Sequence, residues 1–331
     1  MFIFSRSMVV ALVVSLVTFL HGQTVSASDI YQTIYQSADR SKLTQLLKDM
    51  TGFNPVTVGD QTFSITDRYL PNSKANFRSY FMAYFQSLGM QTSELAYNTQ
   101  YNLESQGHNV EAVLPGQSQD SIVIIVHYDS MGPHGADNPA VDDDMTGMTI
   151  MMETARILNQ YQGRLHYTVR FVAADYEEWG ALEGAQNYLS YLQNLATQKN
   201  FKIIAAIDNE QSGWKEDANQ VAFFSYCGGN PETQQYADLF AQTVKTYSQM
   251  TQIQDCMGAN SDFYVFGGAG VPAVVFSEND PFNNPHYDTE GGDTLDRIDL
   301  DYFFSIAQIG VTYAAEIVGV TPDSAEETVA R

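Results

Sequence analysis

Apolar residues recur along the chain with two different spacings. Helical spacing, in which apolar residues return every three or four positions, predicts helices over 43–50, 73–88, 145–158, 181–193, 231–247 and 300–318. Short apolar runs typical of buried strands occupy 109–114, 121–126, 165–173, 203–207 and 272–276. Strands that alternate with helices are typical of α/β proteins. We therefore predict a mixed, mostly parallel central sheet with helices on both faces.

The chain of 331 residues shows no division into halves. No internal repeat, low-complexity tract or linker interrupts residues 28–331. The hydrophobic fraction of 44% is sufficient for a large core, and the charged fraction of 17% is too low for a disordered chain. The sequence thus predicts a single globular domain over 28–331.

The first 27 residues have the pattern of a secretory signal peptide. Arg6 precedes an apolar run of 13 residues, 8–20, and Val25-Ser26-Ala27 suits cleavage by a signal peptidase. A transmembrane helix needs about 20 apolar residues, so this run is short for an anchor. We expect a signal peptide over 1–27 and a secreted or periplasmic protein that leaves the membrane after cleavage.

The chain is strongly acidic, with 39 Asp and Glu, 16 Lys and Arg, and a formal net charge of −23. Such a surface repels polyanions, so we expect neither nucleic acid nor anionic lipid as a partner. Cys227 and Cys256 are too few for a disulfide scaffold or a thiolate zinc site. In an oxidising compartment we expect them to pair, with two buried free thiols as the alternative.

Acidic residues and one histidine gather where predicted strands end or a helix begins. They fall in four short segments: His127-Tyr128-Asp129, Asp142-Asp143-Asp144, Glu177-Glu178 and Asp208. Each segment alone is also typical of a turn or a helix cap. In an open α/β sheet, however, binding sites form at the carboxyl ends of the strands. Four such segments on one sheet edge therefore predict a functional site.

These residue types favour a catalytic metal site. Carboxylate and imidazole ligands without thiolates suit zinc in a catalytic rather than a structural role. Asp129 lies two residues after His127, and so on the same side of an extended chain, where it could accept the second ring N–H of a metal-bound imidazole. Two adjacent glutamates can divide the work, one as ligand and the other as general base. His286, in a polar loop after a predicted strand, is the best second imidazole.

These segments, in this order, resemble the secreted co-catalytic di-zinc aminopeptidases of metallopeptidase family 28, such as the bacterial leucyl aminopeptidases. The matching segments are 109–116, 127–130, 139–147, 177–180, Asp208, 261–262, 270–272 and 293–296. The resemblance implies the zinc-dependent exopeptidase fold and two zinc ions. It also implies a hydrolase that removes residues, here expected to be hydrophobic, from peptide or protein N-termini.

The same resemblance implies a role for each matching residue. The implied metal ligands are His127, Asp143, Glu178 and Asp208, with Asp143 bridging the two ions. Glu177 would be the general base for a hydroxide held between the ions, and Asp129 would orient His127. The family often has a cis peptide after the bridging aspartate, which here is the bond between Asp143 and Asp144.

The last ligand departs from the family pattern. The family has a histidine shortly before its Asp-Thr-Leu segment, but the corresponding position here holds Asp288. His286 lies two residues earlier, so either residue is a candidate. We prefer His286, because an imidazole keeps the charge of the site closer to that of the family.

Two other functions remain open at this point. A glutaminyl-peptide cyclotransferase shares the fold and a His-x-Asp-Ser segment but uses one zinc ion. The paired Glu177 and Glu178 and the acids around Asp143 favour the peptidase. A catalytically inactive ectodomain that binds a partner is the second alternative, because the last ligand is uncertain. Carboxypeptidase activity also occurs among the relatives, and the sequence does not indicate the oligomeric state.

Overall fold

The computed structural model describes residues 27–100, 104–131, 139–215, 219–228, 230–257, 261–286 and 292–321. The expected signal peptide over 1–27 lies outside this part except for Ala27, and it stays a prediction. Within the described ranges, no helix combines the length and the apolar character that crossing a bilayer requires.

The elements of the described chain alternate as predicted. The helices are α1 (Ala27–Ser37), α2 (Arg40–Met50), α3 (Pro71–Ser87), α4 (Met145–Leu158), α5 (Glu183–Lys199), α6 (Thr233–Tyr247), α7 (Phe263–Gly268) and α8 (Leu300–Val318). The strands are β1 (Val56–Val58), β2 (Gln61–Phe63), β3 (Gln91–Asn98), β4 (Gln106–Leu114), β5 (Ser118–His127), β6 (Tyr167–Ala174), β7 (Ile203–Asn209), β8 (Gln220–Tyr226), β9 (Thr251–Met257) and β10 (Ala273–Glu278). Every predicted helix and strand is present, and α4 and α8 have the predicted bounds.

Eight strands form one sheet in the order β3-β4-β6-β5-β7-β10-β8-β9. Strand β5 pairs in parallel with β6 and β7, β10 pairs in parallel with β7, and β8 pairs in parallel with β9. The pairs β3–β4, β4–β6 and β8–β10 are antiparallel. The prediction of a mixed, mostly parallel sheet is therefore confirmed.

Helices cover both faces of the sheet, and β5 shows why its sequence is a continuous apolar run. Ile122, Ile124 and Val126 belong to the larger buried cluster, which includes side chains of α4 and α8. Val123 and Ile125 belong to a second cluster, which includes side chains of α5 and α7. Because successive side chains of a strand point to opposite faces, a strand covered on both sides is apolar at every position.

Cys227 and Cys256 form a disulfide, as expected. Cys256 lies in β9 and Cys227 directly follows β8, so the bond ties together the outermost parallel pair of the sheet.

Replacing both cysteines with serine is expected to lower the free energy of unfolding by about 3 kcal/mol. The bond closes a loop with a sequence separation of 29 residues, and the unfolded chain regains that loop's entropy when the bond is absent. Urea denaturation of the oxidised protein and the double variant measures the difference. Equal midpoints and slopes would show that the bond contributes nothing to stability.

Candidate metal centre

The predicted site segments meet at the carboxyl edge of the parallel part of the sheet. The parallel register sets His127 at the end of β5 opposite Ala174 at the end of β6. The pairing with β7 sets Ile125 opposite Asp208. The neighbouring strands β6, β5 and β7 thus end at the same level of the sheet. Their last residues and the turns that follow them lie together at the carboxyl edge.

His127 is buried and lies against Asp143. Its Nε2 is 2.9 Å from Asp143 Oδ1, and its Nδ1 is 3.2 Å from the backbone carbonyl oxygen of Asp129. The other carboxylate oxygen of Asp143 accepts a hydrogen bond from Gln211 Nε2 at 2.9 Å. Burial lowers the pKa of His127, but hydrogen bonds to Asp129 and Asp143 and the charge of Glu177 outweigh it and raise the pKa well above its ordinary value. The imidazole is therefore surrounded by negative charge.

The described chain contains two groups of three residues whose metal-ligating atoms lie within 4.8 Å of one another inside each group. The first group is His127, Asp143 and Glu178, and the second is His127, Asp144 and Glu210. Because His127 belongs to both, they are parts of one cluster. Neither group includes Asp208 or His286, and Asp288 lies outside the described residues.

Asp208 lies at the same sheet edge with one oxygen engaged. Its Oδ2 accepts a hydrogen bond from the Ser261 hydroxyl and another from the backbone N–H of Phe263 at 3.0 Å. Its Oδ1 is buried and has no hydrogen-bond partner among the described residues. Burial raises the pKa of Asp208 to about 6, against the hydrogen bonds from Ser261 and Phe263, which lower it. One oxygen of Asp208 is thus available to a cation.

Asp129 holds the pair of glutamates in place. Its Oδ1 accepts a hydrogen bond from the backbone N–H of Glu177 at 3.0 Å, and its Oδ2 accepts one from that of Glu178 at 3.3 Å. The glutamates begin a π-helical turn, Glu177–Ala181, which follows Tyr176 in a left-handed conformation (φ 60°). The Oδ1 of Asp129 also lies 3.8 Å from His127 Nδ1. Asp129 therefore joins the histidine to the segment that carries both glutamates.

The turn before α4 is held by residues from distant parts of the chain. The peptide bond between Asp143 and Asp144 is cis, as the family resemblance implies. The carboxylate of Asp293 accepts hydrogen bonds from the backbone N–H groups of Asp142 and Asp143 at 2.7 and 2.9 Å. The buried Arg68 donates to the two carbonyl oxygens of residues 139 and 140 at 2.8 and 2.9 Å. These contacts fix the direction in which the Asp143 side chain points.

The donor set of the cluster fits a divalent cation. In the cluster, Asp144 Oδ2 is buried and has no hydrogen-bond partner among the described residues, and the same holds for both carboxylate oxygens of Asp262, which interacts electrostatically with His127. Burial raises the pKa of Asp144 and of Asp262 well above the ordinary value, and neighbouring carboxylates raise it further. Buried carboxylates are costly without donors or a cation. Oxygen and imidazole donors without thiolates suit zinc.

A match between the sequence and a family model shows the family to which the chain belongs. Residues 109–314, more than half of the chain, match the model of Peptidase family M28. The chain belongs to this family. The match includes His127, Asp143, Glu178 and Asp208, so the cluster at the sheet edge lies within the M28 region.

Two curated relatives are similar over part of their length. A probable leucine aminopeptidase of Trichophyton verrucosum is 23% identical over 217 residues, which cover 63% of this chain and 57% of the relative. A probable zinc metalloprotease of Pyricularia oryzae is 28% identical over 264 residues, which cover 67% of this chain and 52% of the relative. The chain thus spans just over half the length of these relatives.

Solved structures share the fold of this M28 chain. The LapA aminopeptidase of Legionella pneumophila superposes with a TM-score of 0.71 at 18% identity, covering 89% of this chain and 76% of LapA. The glutaminyl cyclase of Macrostomum lignano also gives 0.71, at 16% identity, covering 90% of this chain and 95% of the cyclase. The fold therefore agrees with the predicted exopeptidase fold but does not separate the two activities.

Sequence reasoning missed three residues of this site. Glu210 follows Asp208 by two positions, and that spacing on a strand end is the signal that could have identified it. Asp293 lies in a segment matched to the family, but its contact with the turn at Asp143 was not predicted. Arg68 carries no motif, and only the folded chain shows what it contacts.

Proposed function

We propose that this chain is a zinc-dependent aminopeptidase that hydrolyses N-terminal, preferably hydrophobic, residues from peptides. The observation that carries the proposal is the meeting of His127, Asp143 and Glu178 donor atoms within 4.8 Å in a chain of Peptidase family M28. The names of its relatives, a probable leucine aminopeptidase and a probable zinc metalloprotease, support both the reaction and the metal.

We propose two zinc ions. The residues that would hold them are His127, Asp143, Glu178, Asp208 and either His286 or Asp288, with Asp143 shared. Asp208 supports this set because one of its oxygens is buried without a hydrogen-bond partner in the described chain. When bound, zinc polarises the scissile carbonyl and lowers the pKa of water to near neutrality.

Glu177 is the proposed general base. Its side chain is partly exposed, and it directly precedes Glu178, whose donor atom converges with those of His127 and Asp143. It would accept a proton from the attacking water at a carboxylate oxygen and then donate it to the leaving amine nitrogen. Asp129 is a positioning residue, because its carboxylate binds the backbone N–H groups of Glu177 and Glu178.

Secretion is part of the proposal. The predicted signal peptide over 1–27 would direct the chain to an oxidising compartment, where the disulfide between Cys227 and Cys256 is stable. N-terminal sequencing of protein recovered outside the cell should begin at Ser28. Protein that keeps Met1 in the cytoplasm would contradict this part.

Metal analysis of the purified protein together with a substrate panel tests the activity. We expect two zinc ions per chain, hydrolysis of a leucyl anilide, loss of hydrolysis after removal of zinc with a chelator, and recovery when zinc is restored. One zinc ion with release of ammonia from a peptide that begins with glutamine would favour the glutaminyl-peptide cyclotransferase. Absence of both zinc and exopeptidase activity would favour the binding ectodomain.

A further inference from the structure

We propose that Lys74 is a positioning residue that holds the turn carrying Glu177 in its reactive orientation. Lys74 acts through Asp175 and Tyr176, the two residues that precede this glutamate. The inference rests on the proposed function and concerns how its general base is oriented. Lys74 lies near the start of α3, far along the chain from both glutamates, and belongs to none of the segments that resemble the family.

Lys74 is a buried cation whose ammonium contacts three groups at once. Its side chain is 2% exposed, and its Nζ lies 2.7 Å from Asp175 Oδ1 and 2.8 Å from Glu104 Oε2. The Nζ also lies 3.7 Å from the centre of the Tyr176 ring, in a cation–π contact. Burial lowers the pKa of Lys74, but the surrounding carboxylates, chiefly Asp175, outweigh burial and raise the pKa above its ordinary value. The ammonium is therefore charged in the folded protein.

Tyr176 has a backbone conformation that needs support from outside the turn. Its φ of 60° and ψ of 43° lie in the left-handed region. In residues other than glycine this region is unfavourable and persists only where surrounding contacts hold the residue. The backbone N–H of Tyr176 donates to Asp175 Oδ1 at 3.0 Å, the same oxygen that binds Lys74, and its ring lies against the ammonium. Two contacts that hold Tyr176 thus converge on Lys74.

Asp175 is itself fixed by the sheet, so its contact with Lys74 has a rigid base. Its side chain is fully buried, and its Oδ2 accepts a hydrogen bond from the backbone N–H of His108 in β4 at 3.0 Å. Its backbone N–H donates to Asn109 Oδ1 at 3.1 Å, and its carbonyl oxygen accepts from the Tyr97 hydroxyl at 3.0 Å. Lys74 therefore joins α3 to a residue that β3 and β4 hold at the start of the turn.

The turn that carries Glu177 is thus held at two places. The carboxylate of Asp129 binds the backbone N–H groups of Glu177 and Glu178 from the side of β5, and Lys74 holds Tyr176 from the side of α3. Loss of the ammonium releases the second of these and leaves the left-handed residue with less support. Catalysis depends steeply on geometry, since a misplacement of about 1 Å can cost about 10²-fold in rate.

The substitution Lys74→Met tests this inference, because methionine has a similar length and carries no charge. With zinc at a saturating concentration, kcat for a leucyl anilide is expected to fall by about 10–100-fold. KM should stay within about twofold of the wild type, because Lys74 is proposed to orient the base and not to bind the substrate. In protein kept free of metal with a chelator, hydrogen–deuterium exchange of residues 176–182 should rise by at least about tenfold, because the turn opens more often.

Arg170→Met is the matched control, since it removes another buried cation from an ion pair, here with Glu111 inside the sheet. We expect it to lower the melting temperature but to leave kcat and the exchange of residues 176–182 at their wild-type values. If Lys74→Met does not fold, the double variant Lys74→Met/Asp175→Asn removes both charges of the pair. Neutral replacement of a whole buried ion pair is often tolerated, and the same fall in kcat and rise in exchange are expected.

The outcomes separate this inference from the proposed function. Wild-type kcat in Lys74→Met, or in the double variant if only that one folds, would overturn the role of Lys74 and leave the proposed function intact. A fall in kcat without faster exchange, or an equal fall in Arg170→Met, would also overturn it, because the loss would not act through the turn. A wild-type protein that hydrolyses no aminoacyl anilide would overturn the proposed function, and the exchange of residues 176–182 would then decide by itself whether Lys74 holds the turn.

Discussion

Replacing Glu177 with glutamine is expected to lower kcat for a leucyl anilide by about 10²–10⁴-fold, the usual contribution of a general base. Glutamine has nearly the same shape but accepts no proton at neutral pH. Burial raises the pKa of Glu177 well above its ordinary value, and the charges of Asp262, Asp143 and Asp129 raise it further against the effect of His127. A general base acts on the attacking water in the transition state and adds little to substrate binding, so the loss should fall mainly on kcat.

Zinc content distinguishes this effect from damage to the site. Glu177 is absent from both groups of converging ligand atoms, so the variant should retain the wild-type zinc stoichiometry. The exposed Glu232, at the start of α6, offers a matched change to glutamine that should leave activity unaltered. Full activity in Glu177→Gln would refute the proposed mechanism.

Replacing Asp143 with asparagine is expected to abolish tight binding of both zinc ions and, with it, hydrolysis. Asp143 contacts His127 through one oxygen and Gln211 through the other, and it converges with Glu178. Asparagine keeps the shape but offers only one neutral oxygen, so it could not hold the two zinc ions that we propose Asp143 shares. Substituting a residue that only hydrogen-bonds to a metal ligand lowers metal affinity by up to ~100-fold. Because we propose that Asp143 binds the metal directly, we expect zinc affinity to fall by well over that amount.

Dialysis against buffer of defined free zinc followed by metal analysis measures this loss. Asp120→Asn is a suitable control, because Asp120 lies in the same strand β5 near its other end and accepts a hydrogen bond from the backbone N–H of Lys202. Two zinc ions retained by Asp143→Asn would remove Asp143 from the bridging position.

The central strands were predictable because burial on both faces makes their sequences apolar at nearly every position. Strand β5 is buried from Ser121 to His127, and its sequence alone identifies it. Strands β3, β8 and β9 were not predicted. β3 alternates between exposed and partly buried residues, and its sequence is largely polar. As an edge strand, β3 is paired on one side only, and none of its residues is fully buried. Its sequence therefore does not need the run of apolar residues that marks a central strand.

The site was predictable where a residue lies next to a strand end. His127, Asp129 and Asp208 were predicted as site residues because a buried apolar run stops directly before His127 and directly before Asp208. Glu210 has the same kind of signal, but its role depends on the register between β5 and β7, which the sequence does not specify. Arg68 precedes α3, far along the chain from the turn it holds, and no local pattern connects the two.

By itself, then, the sequence determined the α/β class, the central strands, the acidic segments at their ends and the resemblance to di-zinc peptidases. Those features are local. The spacing of apolar residues in a segment, and the polar residues that follow it, depend on how that one segment is buried. Only the tertiary structure decided which carboxylates share a space: Glu210 and Asp144 with His127, and Asp293 behind Asp143. Distances between side chains depend on strand register and on contacts between remote segments, and these are properties of the folded chain as a whole.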